Sequence, residues 1–224
     1  MSAAAAAVCA AAVSGRTARL ESVTETVPFA AASRQLLRQT LLDGLRELLL
    51  DRDWAKVTMA QVARQAGVSR QTVYNEFGSR YGLAQAYAMR LARQFTAEID
   101  AAVTASPGDV DAALRTGFTG FFASAAEDPL IASLLSGEAK PDLLKLITTD
   151  AAPLIAAAAA ALTAVLRDSW IGLDEQPAGR VARLIARTAL SYVAMPPEPD
   201  ADAAADLAAV IGPTIVAARS TAAG

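Results

Sequence analysis

Histidine is absent from the 224 residues, and cysteine occurs only once, as Cys9. Without histidine, Ser-His-Asp triads, histidine metal ligands and imidazole acid–base catalysis are excluded. A single cysteine excludes an internal disulfide. No glycine-rich phosphate-binding loop of the P-loop or dinucleotide type occurs, and the carboxylates are scattered over polar helical faces. The sequence therefore favours a protein that is not an enzyme, with no catalytic residue, no bound cofactor and no metal.

Long, strongly apolar runs are also missing. The hydrophobic fraction of 54% is rich in alanine, and no stretch of about 20 strongly apolar residues occurs. The first residues are alanine-rich but lack the basic start of a signal peptide. We therefore expect no membrane span, a cytoplasmic location, and an N-terminal arm over residues 1–32 that is disordered.

The charge is unevenly distributed. The whole chain carries −3, which by itself argues against nucleic-acid binding. Residues 34–93, however, contain ten Arg and Lys against five Asp and Glu, whereas residues 94–224 contain eight against sixteen. A basic segment joined to an acidic one is typical of a DNA-binding domain attached to a domain with another task.

Capping and turn signals predict two short helices within residues 57–83. Thr58 is a favourable N-cap residue, and Gln61 three positions later completes a capping box. Gly67 is suited to the left-handed conformation that ends a helix, and Ser69 caps the helix that follows. A helix, a short glycine turn and a second helix form the layout of a DNA-binding helix-turn-helix.

The second of these helices has two distinct faces. Val73 and Phe77 share an apolar face that should pack on the first helix, whereas Gln71 and Asn75 point the opposite way. Gln and Asn can bind adenine edges with two hydrogen bonds, and Arg, present as Arg70, can do the same to guanine. The alternative is an ordinary solvated polar face. The paired capping and turn signals favour DNA binding.

This segment resembles the TetR-type transcriptional regulators. The residues that carry the resemblance are Thr58, Val62, Ala63, Ala66, Gly67, Val68, Ser69, Thr72, Val73, Tyr74, Phe77, Ser79, Arg80 and Leu83. The resemblance covers about residues 33–93 and implies a recognition helix, with Thr58 and Arg80 binding phosphates from its flanks. The DNA-binding residues that it implies are Thr58, Arg70, Gln71, Thr72, Tyr74, Asn75 and Arg80. Gln71 replaces a glycine that is common in the family, and Arg80 replaces the usual lysine but keeps its charge.

Helical patterns continue to the end of the chain. Apolar residues recur at spacings of three and four, and Pro and Gly clusters separate the segments. We therefore predict an all-α protein of about nine helices. An N-terminal three-helix domain with the helix-turn-helix is expected over residues 33–79, and a C-terminal helical domain over residues 80–224, for which the resemblance implies ligand binding and dimerisation.

The family resemblance implies two tasks for the C-terminal domain. The first is a mostly apolar effector pocket, although an aromatic residue at helical spacing is more often simply core. The candidate pocket residues are Phe118, Phe121, Phe122, Leu134, Leu135 and Trp170. The second is pairing of the last two helices into a four-helix bundle across a two-fold axis. The candidate dimer residues are Val181, Leu184, Ile185, Thr188, Tyr192, Leu207, Val210, Ile211 and Thr214.

Together these features predict a ligand-responsive DNA-binding transcriptional regulator. The expected form is a homodimeric repressor that a small lipophilic effector releases from a palindromic operator in double-stranded DNA. An activator, or a helical protein-interaction module without specific DNA binding, is the alternative. Within the family, VSRQTVYNEFGSRYG is similar to actinobacterial regulators of alkane-oxidation genes, which implies a hydrocarbon-like or fatty-acid-like effector.

Overall fold

The computed structural model describes residues 29–136, 140–198 and 200–222, and within them all regular structure is helical. This confirms the all-α fold class. The predicted disordered arm, apart from its last four residues, lies outside the described residues. A short 3-10 helix spans Trp54–Lys56. The helices are α1 (Phe29–Asp51), α2 (Met59–Gln65), α3 (Arg70–Phe77), α4 (Arg80–Ala105), α5 (Val110–Glu127), α6 (Pro129–Leu135), α7 (Pro141–Ile147), α8 (Ala152–Asp168), α9 (Glu175–Ala194) and α10 (Ala203–Ala222).

The helix-turn-helix forms as its capping signals predict. The backbone N–H of Gln61 donates to Thr58 Oγ1, and the backbone N–H of Thr58 donates to Gln61 Oε1 at 2.8 Å, which completes the capping box. Gly67 has a φ of 68° and turns the chain after α2. Ser69 Oγ accepts from the backbone N–H of Thr72 at 3.1 Å and so caps α3. Local sequence signals therefore mark both ends of α2 and the start of α3.

Helix α9 begins at Glu175, two residues before Pro177. Proline is tolerated anywhere in the first helical turn, because the backbone N–H groups there have no partner within the helix. Asp174 takes the extended conformation of an N-cap residue and provides the earlier start.

Contacts divide the chain into two units, Met1–Gln35 and Leu36–Gly224, and the second unit contains two clusters of buried apolar residues. One cluster joins the helix-turn-helix to α1 and α4, and it also includes Leu130, Leu143 and Leu146 from α6 and α7. The other lies among α4, α5, α8, α9 and α10. Helix α4 contributes to both clusters, so it links the helix-turn-helix to the rest of the unit.

Within the part of the chain that the structure describes, one apolar helical stretch is long enough to cross a membrane by length and composition. It spans Pro141–Asp168 and has a mean hydropathy of 1.7. The stretch is two helices, α7 and α8, with a non-helical break at residues 148–151. Leu143, Leu146 and Leu162 are buried in the two apolar clusters. The break and the burial of these leucines show two packed helices in place of one continuous span.

Candidate nucleic-acid interface and cavity

The outer face of α3 presents the two predicted base-reading side chains together. Val73 and Phe77 are buried on the inner face, as the helical spacing predicts. Gln71 and Asn75 are exposed, and Gln71 Nε2 donates to Asn75 Oδ1 at 2.8 Å. The pair therefore shares one solvent-facing surface. Their mutual hydrogen bond uses one N–H group of Gln71 and one lone pair of Asn75, so the remaining donors and acceptors of both amides are available to base edges.

The flanks of α3 carry a cation and hydroxyl groups. Arg70 donates to the hydroxyl of Tyr74 at 3.2 Å, and its guanidinium lies 5.2 Å from the centre of the Tyr74 ring. Thr72 Oγ1 lies 2.9 Å from Ser69 Oγ. A surface hollow next to α2 and α3 brings together four of the predicted DNA-binding residues: Thr58, Arg70, Tyr74 and Arg80. Such a mixture of positive charge and hydroxyl groups suits phosphate oxygens.

Arg80 has partners within the protein that the family resemblance does not imply. Its guanidinium donates to the backbone carbonyl of Trp54 and lies 4.2 Å from the centre of the indole ring. It also lies 3.3 Å from Asp142 Oδ2, to which the indole Nε1 of Trp54 donates at 2.8 Å. Asp142 on α7 therefore balances part of the positive charge of Arg80. This positions the start of α4 and leaves less of that charge for a phosphate.

A second polar cluster joins the turn before α2 to the segment between α6 and α7. Lys140 is buried, with Nζ 3.0 Å from Asp53 Oδ2 and 2.6 Å from Ser136 Oγ. Ser133 Oγ donates to Asp53 Oδ2 and accepts from the backbone N–H of Trp54, both at 2.8 Å. Sequence analysis missed this cluster, because about 80 residues separate its two halves and no local pattern connects them.

The cluster also changes the acidity of Asp53. Burial raises the pKa of its carboxyl group. Hydrogen bonds from the backbone of Ala55, from Ser133 and from Lys140, together with the Lys140 charge, outweigh burial and lower the pKa to about 2. The ordinary value is 3.8. Asp53 is therefore ionised and paired throughout the physiological pH range.

We expect the Asp53–Lys140 pair to stabilise the fold above about pH 4 and to lose this effect as the pH falls toward 2. The sign follows because a lowered native pKa makes stability fall when the carboxylate is protonated. Urea unfolding of the wild type, Asp53→Asn, Lys140→Met and the double variant would measure the coupling free energy from pH 3 to pH 8. The coupling free energy should be constant between pH 5 and pH 8. Its loss by pH 5 would contradict this assignment.

A cavity of about 490 Å³ lies beside α4, within the size range of small-molecule sites. Residues of α4, α5, α6, α7, α8 and α9 line it, together with Arg46 of α1. Most of the lining is apolar, and its polar side chains include Gln94, Glu98 and Ser124. The cavity can therefore enclose a mainly hydrocarbon molecule and offer it a few hydrogen bonds.

Only two of the six predicted pocket residues, Phe121 and Leu134, line this cavity. For the other four the prediction needs correction. Phe118 is fully buried in the apolar core, and Phe122 packs edge-on against the ring of Tyr192 at 5.1 Å. The exposed Leu135 does not line the cavity, and Trp170 donates its indole N–H to the carbonyl of Val103. Helical spacing does not separate aromatic residues that fill a core from those that border a cavity.

The start of α6 is tied to α4 at the border of the cavity. Tyr87 donates its hydroxyl to Asp128 Oδ2 at 2.9 Å, while Asp128 Oδ1 accepts from the backbone N–H groups of Leu130 and Ile131. Burial, followed by the negative charge of Asp128 and the hydrogen bond to it, raises the pKa of Tyr87. The tyrosine therefore stays protonated and remains the hydrogen-bond donor. A displacement of α6 would change this hydrogen bond and so act directly on α4.

The predicted dimer residues divide between core and surface. Val181, Ile185 and Ile211 are buried within the protomer, so their assignment to an interface is wrong. Leu184 is 49% exposed and Val210 is 71% exposed. Thr214 is also exposed, and Thr188, Tyr192 and Leu207 are partly buried. The outward faces of α9 and α10 therefore present large apolar side chains to solvent.

Family models match both halves of this architecture. The model described as bacterial regulatory proteins of the tetR family matches residues 41–87, which include α2 and α3. The model described as the C-terminal domain of the bacterial tetracyclin repressor matches residues 109–213. The HTH-type transcriptional regulator AlkX of Mycobacterium tuberculosis is 54% identical over 187 residues, 84% of this chain and 89% of the relative. The chain belongs to the TetR family. It is a DNA-binding transcriptional regulator with a helix-turn-helix and a C-terminal helical body.

Solved structures of TetR-family proteins agree with this fold. The repressor AlkX from Dietzia sp. strain DQ12-45-1b, described as implicated in biodegradation of n-alkanes, is 43% identical. It aligns with a TM-score of 0.76 over 81% of this chain and 96% of its own. A TetR regulator from Rhodococcus sp. RHA1 is 18% identical with a TM-score of 0.55, over 83% of this chain and 96% of its own, and shows the shared fold alone. These relatives are named as regulators rather than enzymes.

Proposed function

We propose that this TetR-family regulator is a cytoplasmic homodimeric repressor without enzymatic activity. In this proposal it binds a palindromic operator and leaves it when a small apolar effector fills the cavity. The observation that carries the proposal is the course of α4. This helix begins beside α3, where Leu83 and Tyr87 are buried, and then lines the cavity with Phe95 and Glu98. One rigid element therefore connects the DNA-reading face to the cavity.

The dimer is supported by the outward faces of α9 and α10. Leu184 and Val210 are too exposed to serve the core of a single protomer. Pairing of the same two helices from each copy would bury them in a self-complementary interface. Two recognition helices held in this way about one DNA turn apart would match the two halves of a palindrome.

The effector is proposed to be hydrocarbon-like. The cavity is lined mainly by side chains such as Leu91, Phe121, Leu134 and Leu154, which favour an apolar ligand. The description of the Dietzia relative in terms of n-alkanes supports the same class of compound. The cavity offers few fixed partners for a highly polar molecule.

Release of DNA is proposed to follow from a shift between two conformers. A ligand that fits the cavity better in one conformer favours that conformer, in proportion to its differential affinity. Leu130 and Ile131 of α6 line the cavity, and Asp128 at the start of α6 binds Tyr87 of α4. The Asp53–Lys140 pair gives a second connection from this region to the turn before α2. A change in the cavity would therefore reach the helix-turn-helix through two contacts.

We expect a saturating C10 compound to lower operator affinity by about 10-fold or more, which is within the usual range of allosteric coupling. The test is a gel-shift titration of the full chain on DNA from upstream of its own gene, with decane, 1-decanol, decylamine or decanoate present. Operator binding that is unchanged by all four would contradict control by an effector of this kind. As a control, each sample is also titrated with scrambled DNA. Binding to scrambled DNA that is tenfold weaker than binding to the operator would confirm that the measured complex is the specific one.

A further inference from the structure

Among the described residues that line the cavity, Glu98 carries a buried carboxyl oxygen whose hydrogen-bonding capacity is not used. Glu98 Oε1 accepts from Ser124 Oγ at 2.6 Å, whereas Glu98 Oε2 is buried and has no hydrogen-bond partner among the described residues. A buried carboxylate oxygen without a donor is costly, and a group that donates to it recovers that free energy. Glu98 therefore marks the place where a ligand's polar group would be most stabilised.

The surroundings of Glu98 leave room for such a group. On α5, a Cβ atom added to Gly120 would lie 3.8 Å from Glu98 Oε2, and no other atom outside its own helix would lie within 4 Å. The terminal torsion of a glutamate has a broad minimum, so a small rotation can turn Oε2 toward the cavity. Phe95 and Phe121, which line the cavity, pack against each other with ring centres 4.6 Å apart and planes tilted by 55°, and provide an apolar wall.

The charges around the cavity favour a donor that is not an anion. The charged lining residues are Arg46, Glu98, Glu127 and Asp128, which together carry two more negative than positive charges. Asp128 already accepts hydrogen bonds with both oxygens. Glu127 is exposed to solvent, so Glu98 Oε2 is the buried carboxylate oxygen of the described lining with spare capacity. Among the described residues of the lining, Arg46 on α1 is the one cation, and it is the competing site for an anionic head group.

We propose that Glu98 is the specificity-determining residue of the cavity. It selects an aliphatic effector that ends in a hydrogen-bond donor, namely a long-chain primary alcohol or amine. An alkane or a fatty-acid anion binds less tightly. This inference rests on the proposed effector function of the cavity. The alkyl chain lies along the apolar lining, and the hydroxyl or ammonium group donates to Glu98 Oε2. The head group contributes to the binding free energy as a hydrogen bond to a charged acceptor does.

The test measures ligand binding directly, without DNA, so that it is separate from control of the operator. Isothermal titration of the full chain with decane, 1-decanol, decylamine and decanoate should show at least about tenfold tighter binding of the alcohol and the amine than of decane. Glu98→Leu should remove that preference while decane binding is kept. Glu98→Gln, which keeps an acceptor oxygen without the charge, should weaken the amine more than the alcohol.

Two results would overturn the assignment. One is tighter binding of decanoate than of 1-decanol that is lost in Arg46→Met, because the polar end would then lie at Arg46. The other is an alcohol preference that Glu98→Leu leaves unchanged. Circular dichroism melting of each variant shows whether it is folded, and Ser124→Ala, which frees Glu98 Oε1 as well, should keep the preference. If ligands bind as expected but operator affinity does not respond, the proposed control of DNA binding fails and the assignment of Glu98 stands.

Discussion

Replacement of Gln71 and Asn75 together by alanine is expected to reduce preference for the operator by roughly 30-fold or more while leaving the protein folded. Each amide that binds a base edge with two hydrogen bonds contributes about 1–3 kcal/mol of discrimination, so the pair should account for roughly 30-fold to 10⁴-fold. Both side chains are exposed and bonded mainly to each other, so their removal costs the fold little. Alanine also has the highest helix propensity.

Fluorescence anisotropy on operator and scrambled duplexes, at one fixed salt concentration, measures this discrimination. Gln176→Ala, an exposed glutamine in the first turn of α9, is the matched control and should bind as the wild type does. Weak non-specific binding should survive in the double variant, because phosphate contacts carry most of it. Retained operator preference in the double variant would show that other residues read the bases.

The second large effect is expected from charges placed on the proposed dimer face. Leu184→Arg combined with Val210→Arg leaves the protomer core untouched, since both side chains point to solvent. Across a two-fold axis, the same changes would place four cations in one apolar interface, where unpaired charges are strongly unfavourable. The expected result is a monomer, together with operator binding about 10²-fold weaker or more, because the two half-sites are no longer bound by a linked pair.

Analytical ultracentrifugation gives the mass of the variant, and anisotropy gives its operator affinity. Leu144→Arg is the control, because Leu144 is a similarly exposed leucine on α7, outside the proposed interface. Loss of dimerisation in the control as well would indicate general destabilisation. A double variant that remains dimeric would place the interface elsewhere on the surface.

The parts of the fold that local sequence determines were predictable. The capping box at Thr58, the turn at Gly67 and the cap at Ser69 depend on neighbours within three residues, and all three form. Gln71 and Asn75 lie on the same face of α3, as helical geometry predicts for residues four positions apart. Most of the candidate DNA-binding face could therefore be predicted from the sequence.

The cavity and its connections could not be predicted in this way, because they depend on how distant helices pack. Phe118 and Phe121 have the same residue type and lie on one helix, yet only Phe121 lines the cavity. The buried pair of Asp53 and Lys140 joins segments far apart in sequence. Burial of Ile185 beside the exposed Leu184 likewise follows from the orientation of α9 on α8 and not from the apolar stripe itself.

Sequence-specific DNA binding is the central claim, and a competition titration tests it most directly. A duplex selected from a random pool by the full chain would be titrated by anisotropy against a scrambled duplex of equal length, at several salt concentrations. We predict a palindromic duplex that binds two protomers and is preferred by about 10³-fold or more at physiological salt, with affinity that falls steeply as salt rises. Equal binding to the selected and scrambled duplexes, or no binding to either, would contradict the account.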